Sequence, residues 1–160
     1  MHITKRNEKT ATIAVYIVLM RGSSVLLARR ANTGYMDGKW ALPSGHMEEH
    51  EVPRESAIRE AREELGVVIS PDHLEFIHVS YRPEHDETGD RVDFYFRTWR
   101  WDGEPQNCEP EKCSEVRWFR PFEFPPESEW MPHVFFALNH RHCVFSELGV
   151  SWLQERGLWQ

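Results

Sequence analysis

Cysteine is scarce in this chain: Cys108, Cys113 and Cys143 are the three, and no two stand at the two-residue spacing of a zinc knuckle. That speaks against a disulfide framework or a thiolate metal site and leaves reduced, structural thiols. Long apolar runs are missing as well. The longest, Ala11 to Met20, is interrupted by Thr12 and falls well short of the roughly 18 residues a membrane span needs. Positive charge is in deficit, 19 Lys and Arg against 26 Asp and Glu for a net charge of −7. A broad polyanion-binding surface is therefore excluded, and with it a nucleic-acid duplex as partner. The first residues, MHITKRNEKT, carry basic groups but adjoin no signal-like segment, so a cytoplasmic protein is expected. No repeat, low-complexity tract or Pro/Gly/Ser-rich linker divides the 160 residues. One domain spanning 1–160 is expected, long enough to bury a substantial core.

What is present reads as alternating strands and helices. Ala11 to Met20 and Ser24 to Arg29 are rich in Val, Ile and Leu and are separated by Arg21-Gly22-Ser23, the pattern of a strand pair with a tight connection. The loop ANTGYMDGK follows, and Trp40 to Leu42 is a short strand leading into Pro43-Ser44-Gly45. Pro53 suits the first turn of a helix running to Leu65, although Val52 is a poor N-cap. Leu74 to Arg82 and Arg91 to Trp101 form a long hairpin around PEHDETGD. Val116 to Phe119 is a further strand, and His133 to Cys143 a second helix against the sheet. This order predicts an α/β (α+β) fold, a mixed β-sheet between helices in an α/β/α sandwich. A C-terminal extension of about 144–160 contains Trp152, Leu153, Leu158 and Trp159; whether it is a helix packed on the domain or on a second copy is open.

The helix from Pro53 carries the chemistry. Glu60, Glu63 and Glu64 share one stripe at helical spacing, while Ile58, Ala61 and Leu65 lie roughly 130° away on an apolar stripe. Close like-charge pairs each cost a few tenths of a kcal/mol, and Gly66 marks a C-terminal stop where the helix dipole also repels anions. A hard divalent cation with oxygen ligands offsets that cost better than a zinc-type site does.

The surrounding spacing is specific. Gly45, five residues, Glu51, seven residues, then Arg59-Glu60-Ala61-Arg62-Glu63-Glu64-Leu65-Gly66-Val67 resembles the Nudix box of hydrolases acting on nucleoside diphosphates linked to another moiety. The likeness fills every fixed position of the box over residues 45–67. It implies the sandwich fold and a Mg²⁺-dependent hydrolase, with Mn²⁺ as an alternative, that cuts the phosphoanhydride of a small nucleotide. By resemblance Glu60 and Glu64 are metal ligands, Glu63 is a ligand or base, and the Ser44 carbonyl completes the site. Many members carry glycine at position 44. Glu51 and Arg59 are implied to form a supporting ion pair outside the metal stripe. A late loop often adds a further ligand or base; the WDGEP and RWF flanks select Glu109, with Glu111 and Glu115 as competitors.

For the substrate, Arg30 and Lys39 offer cations for phosphates. Tyr35, Tyr81 and Trp130 offer rings for a base, and Gly45 and His46 are expected beside the phosphate. His50 and His85 read as solvated loop residues. The WDGEP-containing tail resembles the MutT and oxidised-purine triphosphatase branches, which favours a nucleoside triphosphate split into monophosphate and pyrophosphate. An ADP-ribose or nucleotide-sugar pyrophosphatase is the enzymatic alternative, on the strength of Pro83. A non-catalytic nucleotide-sugar sensor is the third reading; such modules tend to lose box glutamates and to be fused to a basic domain, neither of which is seen. Base, sugar and general base stay open. So does the assembly state, although family members are often dimers.

Overall fold

A computed structural model describes residues 10–83, 89–139 and 144–147. Its centre is β1 (Thr12–Arg21). Alternation sends Ala14, Tyr16 and Val18 to one face and Val15, Ile17 and Leu19 to the other, and both faces are buried. That explains why the strand reads as an almost unbroken apolar run. A turn through Gly22, at φ +61°, leads to β2 (Ser24–Arg30). The expected strand pair forms only at its tip, Met20 against Val25 and Arg21 against Ser24. Beyond it β2 turns away to pair with β7 (Cys113–Phe119) and β3 (Trp40–Ala41).

The edge of β1 that β2 vacates is taken by β4 (Ser44–His46), with Tyr16 opposite Ser44 and Ala14 opposite His46. No strand is expected there from sequence: three residues centred on a glycine have no strand pattern of their own. On its other edge β1 runs parallel to β6 (Arg91–Thr98), which forms the anticipated hairpin with β5 (Glu75–Arg82). A further strand, β8 (Phe145–Glu147), adds in parallel to β5. The extension at 144–160 thus begins as a strand rather than a helix, and its remainder lies outside the described residues. The sheet is mixed, in the order β3-β2-β1-β6-β5-β8, with β4 on β1 and β7 on β2.

Two helices cover the two faces, giving the expected sandwich. α1 (Pro53–Leu65) starts at proline and stops at Gly66, whose φ of +70° needs the left-handed region. Val52 makes no side-chain cap; its N–H donates instead to Glu55 at 3.3 Å. Ala57, Ala61 and Leu65 pack on Val15, Ile17 and Leu19. α2 (Pro132–Asn139) places Val134 and Ala137 over Tyr16, Trp40 and Tyr95. Residues 140–143, the end expected for that helix, lie outside the described residues. Among the described residues no helix is long and apolar enough to cross a membrane.

Candidate active site

Where β2 turns away from β1 and β4 takes its place, a cleft of about 590 Å³ opens, lined in part by α1. Glu60, Glu63 and Glu64 all line it, because burying Ala57, Ala61 and Leu65 turns the opposite stripe of the helix into the gap. Glu64 Oε2 accepts the Ser44 N–H at 2.9 Å. Burial pushes its carboxyl up to about 8, helped by the charges of Glu60 and Glu109, against the Ser44 hydrogen bond and Arg30. Burial also raises Glu60, opposed by the hydrogen bond from Arg59.

Arg59 does more than the supporting pair expected of it. Its Nε and Nη2 grip Glu51 at 2.7 and 3.0 Å, a fork that holds the Glu51 carboxyl down to about 2. Nη2 also reaches the His46 carbonyl at 3.0 Å, tying β4 to α1. The third nitrogen, Nη1, donates to Glu60 at 2.8 Å and Glu63 at 3.0 Å. Arg59 is therefore on the carboxylate stripe, because a guanidinium with five donors takes every anion within its reach. With Glu60 and Glu63 drawn to Arg59 and Glu64 to Ser44, no three acidic, histidine or cysteine side chains among the described residues converge on one point.

Gly45 faces this cluster. A Cβ there would sit 1.9 Å from Glu60 Oε1, so only glycine lets the strand and the carboxylate lie this close. The late loop docks through the helix end: the carbonyls of Glu64 and Leu65, unpaired within the helix, accept N–H groups of Cys108 and Gln106 at 3.0 and 3.1 Å. That brings Glu109 into the cleft beside Lys112, 2.8 Å from its Oε1. Glu111 and Glu115 do not line it.

The cleft lining includes basic residues as well. Arg30 lines the cleft, fixed by the Tyr35 carbonyl at 2.9 Å and Thr33 Oγ1 at 2.9 Å. Tyr35 lines it too, its ring 5.8 Å from both the Arg30 and Arg91 guanidinium carbons. His46 Nε2 lies 3.4 Å from Arg91 Nη1, and burial, then that cation, lowers the imidazole pKa.

Three expected substrate contacts are elsewhere. Lys39 does not line the cleft; its ammonium donates to the Ser128 carbonyl. Tyr81 bonds Asp90 on the far strands. Trp130 is 2% exposed, packs edge-on against Phe124 and Phe135, and donates to Pro125; a turn carrying a large ring had no better place for it than the core. His50 is exposed as expected, and His85 lies outside the described residues. Sequence reasoning missed Tyr16, Thr33, Arg91 and Lys112 as cleft residues. Tyr16 and Arg91 sit in strand patterns, where nothing local distinguishes a cleft position from a core or surface one.

The lining thus offers hard oxygen ligands together with cations, a combination suited to holding a polyanion through a metal and guanidinium groups. Comparison with known proteins agrees. A NUDIX domain profile matches residues 10–138. The 8-oxo-dGTP diphosphatase of Escherichia coli K12 is 29% identical over 126 residues, 76% of this chain and 92% of that one. An uncharacterised Nudix hydrolase of Rhodococcus erythropolis is 30% identical over 122 residues, covering 71% of this chain and 64% of that one. The crystal structure of a MutT NUDIX hydrolase from Burkholderia pseudomallei superposes with a TM-score of 0.74 at 21% identity, over 82% of this chain and 98% of that one. With the fold, the complete box and the profile in agreement, the chain belongs to the Nudix hydrolase family.

Proposed function

We propose that the protein is a Mg²⁺-dependent pyrophosphohydrolase that splits a nucleoside triphosphate into monophosphate and pyrophosphate, with Mn²⁺ able to replace Mg²⁺. The observation that carries this reading is one cleft that gathers Glu60, Glu63, Glu64 and Glu109 together with Arg30. The 8-oxo-dGTP diphosphatase named above, a relative along most of its length, supports a triphosphate. Pro83, on which the nucleotide-sugar reading rests, does not line the cleft.

The donor set fits a hard cation. All candidate ligands are oxygens: the Glu60, Glu63 and Glu64 carboxylates and the Ser44 carbonyl. Glu64, buried with its carboxyl near 8, feels the charge of Arg30 only against a larger burial penalty, which a cation held at its oxygens would offset. Bound Mg²⁺ supplies charge neutralisation at the phosphoryl oxygens and a more acidic water. Arg59 keeps Glu60 and Glu63 gathered before it arrives. Arg30 neutralises phosphate charge from the cleft lining, and Gly45 allows close approach of the chain to it. Water attacks phosphorus, the P–O bond of the bridge breaks with its electron pair leaving on oxygen, and Glu109 or Glu63 takes the water's proton.

A coupled phosphate-release screen over nucleoside triphosphates, nucleotide sugars and ADP-ribose with Mg²⁺ tests the reading. Turnover is expected to be fastest on a triphosphate, and Glu109→Ala is expected to depress it more than Glu111→Ala or Glu115→Ala. Faster turnover of a nucleotide sugar would displace the triphosphate assignment. Binding with no turnover anywhere would leave a sensor.

A further inference from the structure

The loop that brings Glu109 to the cleft has neither helix nor strand of its own between Asp102 and β7. A glutamate on such a segment is held only as well as the loop's bonds hold its backbone, while a reacting group needs placing to about 0.5 Å. The chain arrives from the end of α1, where Gln106 and Cys108 donate their N–H groups to the Leu65 and Glu64 carbonyls. It leaves into β7, whose first residue, Cys113, is the register partner of Arg30. Asn107 stands between those anchors.

Asn107 lines the cleft and is partly buried. Its Oδ1 accepts the Glu109 N–H at 3.1 Å, closing a turn two residues on, and its Nδ2 donates to the Cys113 carbonyl at 2.7 Å. One neighbour is a donor and the other an acceptor, so an amide satisfies both and a carboxylate of the same shape does not. The Glu109 carbonyl in turn accepts the N–H groups of Lys112 and Cys113, each at 2.9 Å, and Lys112 Nζ meets Glu109 Oε1 at 2.8 Å. A single side chain therefore ties the backbone of Glu109 to the rung of the β2–β7 ladder that carries Arg30.

Resting on the hydrolase reading above, we propose that Asn107 is the positioning residue for Glu109, its amide fixing where the Glu109 carboxylate enters the cleft relative to the carboxylates on α1 and the cation on β2. Asn107 acts on the reaction only through Glu109. Removing it lets the turn open and spreads the carboxylate over many orientations, few of which meet the attacking water. With Glu109 already gone, nothing remains for Asn107 to place.

A double-mutant cycle on the full chain with Mg²⁺ tests this, run on whichever nucleotide is turned over fastest in the screen above, so that a wrong substrate assignment leaves the result intact. Asn107→Ala is expected to lower kcat about tenfold with KM within about twofold of wild type. In a Glu109→Ala background the same substitution is expected to change kcat by less than about twofold. Equal losses in both backgrounds, the mark of a merely structural role, overturn the proposal, as does an Asn107→Ala kcat within about twofold of wild type. Asn107→Ser keeps an acceptor for the Glu109 N–H and gives up the Cys113 bond; it carries the same cycle, with a smaller loss expected, should the alanine variant not fold. Amide exchange followed by NMR gives a readout free of metal and turnover. In Asn107→Ala, or in Asn107→Ser to a smaller degree, the Glu109 N–H is expected to exchange about tenfold faster, while those of Gln106 and Cys108, held by the helix end, change less than about threefold. No acceleration at Glu109, or the same acceleration at all three, overturns the proposal. If the wild-type chain binds nucleotides but hydrolyses none, the hydrolase reading falls, and the exchange pattern alone decides whether Asn107 holds Glu109.

Discussion

Burial holds the Glu64 carboxyl near 8 in the free protein, against an unfolded value of about 4.3. A folded pKa above the unfolded one favours folding while the group is protonated. That contribution is complete below about 4.3 and is lost as pH rises through 8. Glu64→Gln keeps an oxygen for the Ser44 N–H and removes the charge. In EDTA, its Tm is expected to match wild type near pH 4 and to exceed it increasingly up to pH 8, by a free energy on the order of 5 kcal/mol. Its turnover with Mg²⁺ is expected to fall by orders of magnitude. Differential scanning fluorimetry across pH and a steady-state assay check the two halves. A pH-independent Tm difference, or activity within a few-fold of wild type, contradicts the role given to Glu64. At this scale the place of Glu60, Glu63 and Glu64 in the cleft was legible from helical spacing, and that of Glu109 from the resemblance of its WDGEP and RWF flanks. Those of Lys39, Tyr81 and Trp130 were not, since a cation or a ring has no sequence mark that separates ligand contact from packing.

Helix and strand meet at Gly45, 1.9 Å in Cβ terms from the Glu60 carboxylate. Glu60 is the free end of a side chain, so Gly45→Ala is expected to displace it rather than unfold β4. Tm should change by less than about 1 kcal/mol in equivalent free energy, while metal affinity and turnover both fall, as metal titration and kinetics on one preparation would report. A large loss of Tm with normal metal affinity would mean that the backbone, not the carboxylate, yields. The end of α1 was readable from Gly66 and the apolar spacing, which act within one turn, whereas its start was open by a few residues because Val52 is a poor N-cap beside Pro53. β4 and β8 were not readable. Three-residue strands have no pattern of their own and exist where a neighbour's edge, β1 or β5, supplies the hydrogen bonds.

Across the whole molecule, an ion that binds only the folded state raises its stability by mass action. The acidic stripe is therefore expected to give a Tm rise of about 3–6 °C at ten times the dissociation constant for Mg²⁺. With Glu64 near 8, binding at pH 7 is expected to release protons, visible as a dependence of calorimetric heat on buffer ionisation enthalpy. No Tm shift with Mg²⁺ or Mn²⁺ would refute the metal site. The sequence by itself determined the family, the acidic stripe and the helix that bears it, because residues 45–67 are contiguous and local spacing decides which side chains share a helix face. Tertiary structure alone decided the rest of the cleft. Tyr16, Thr33, Arg91 and Lys112 come from segments far apart in the chain and meet because β1 pairs with different partners along its two halves and the late loop docks on the end of α1. Such meetings depend on how strands share edges and how helix ends find partners, which no local pattern encodes.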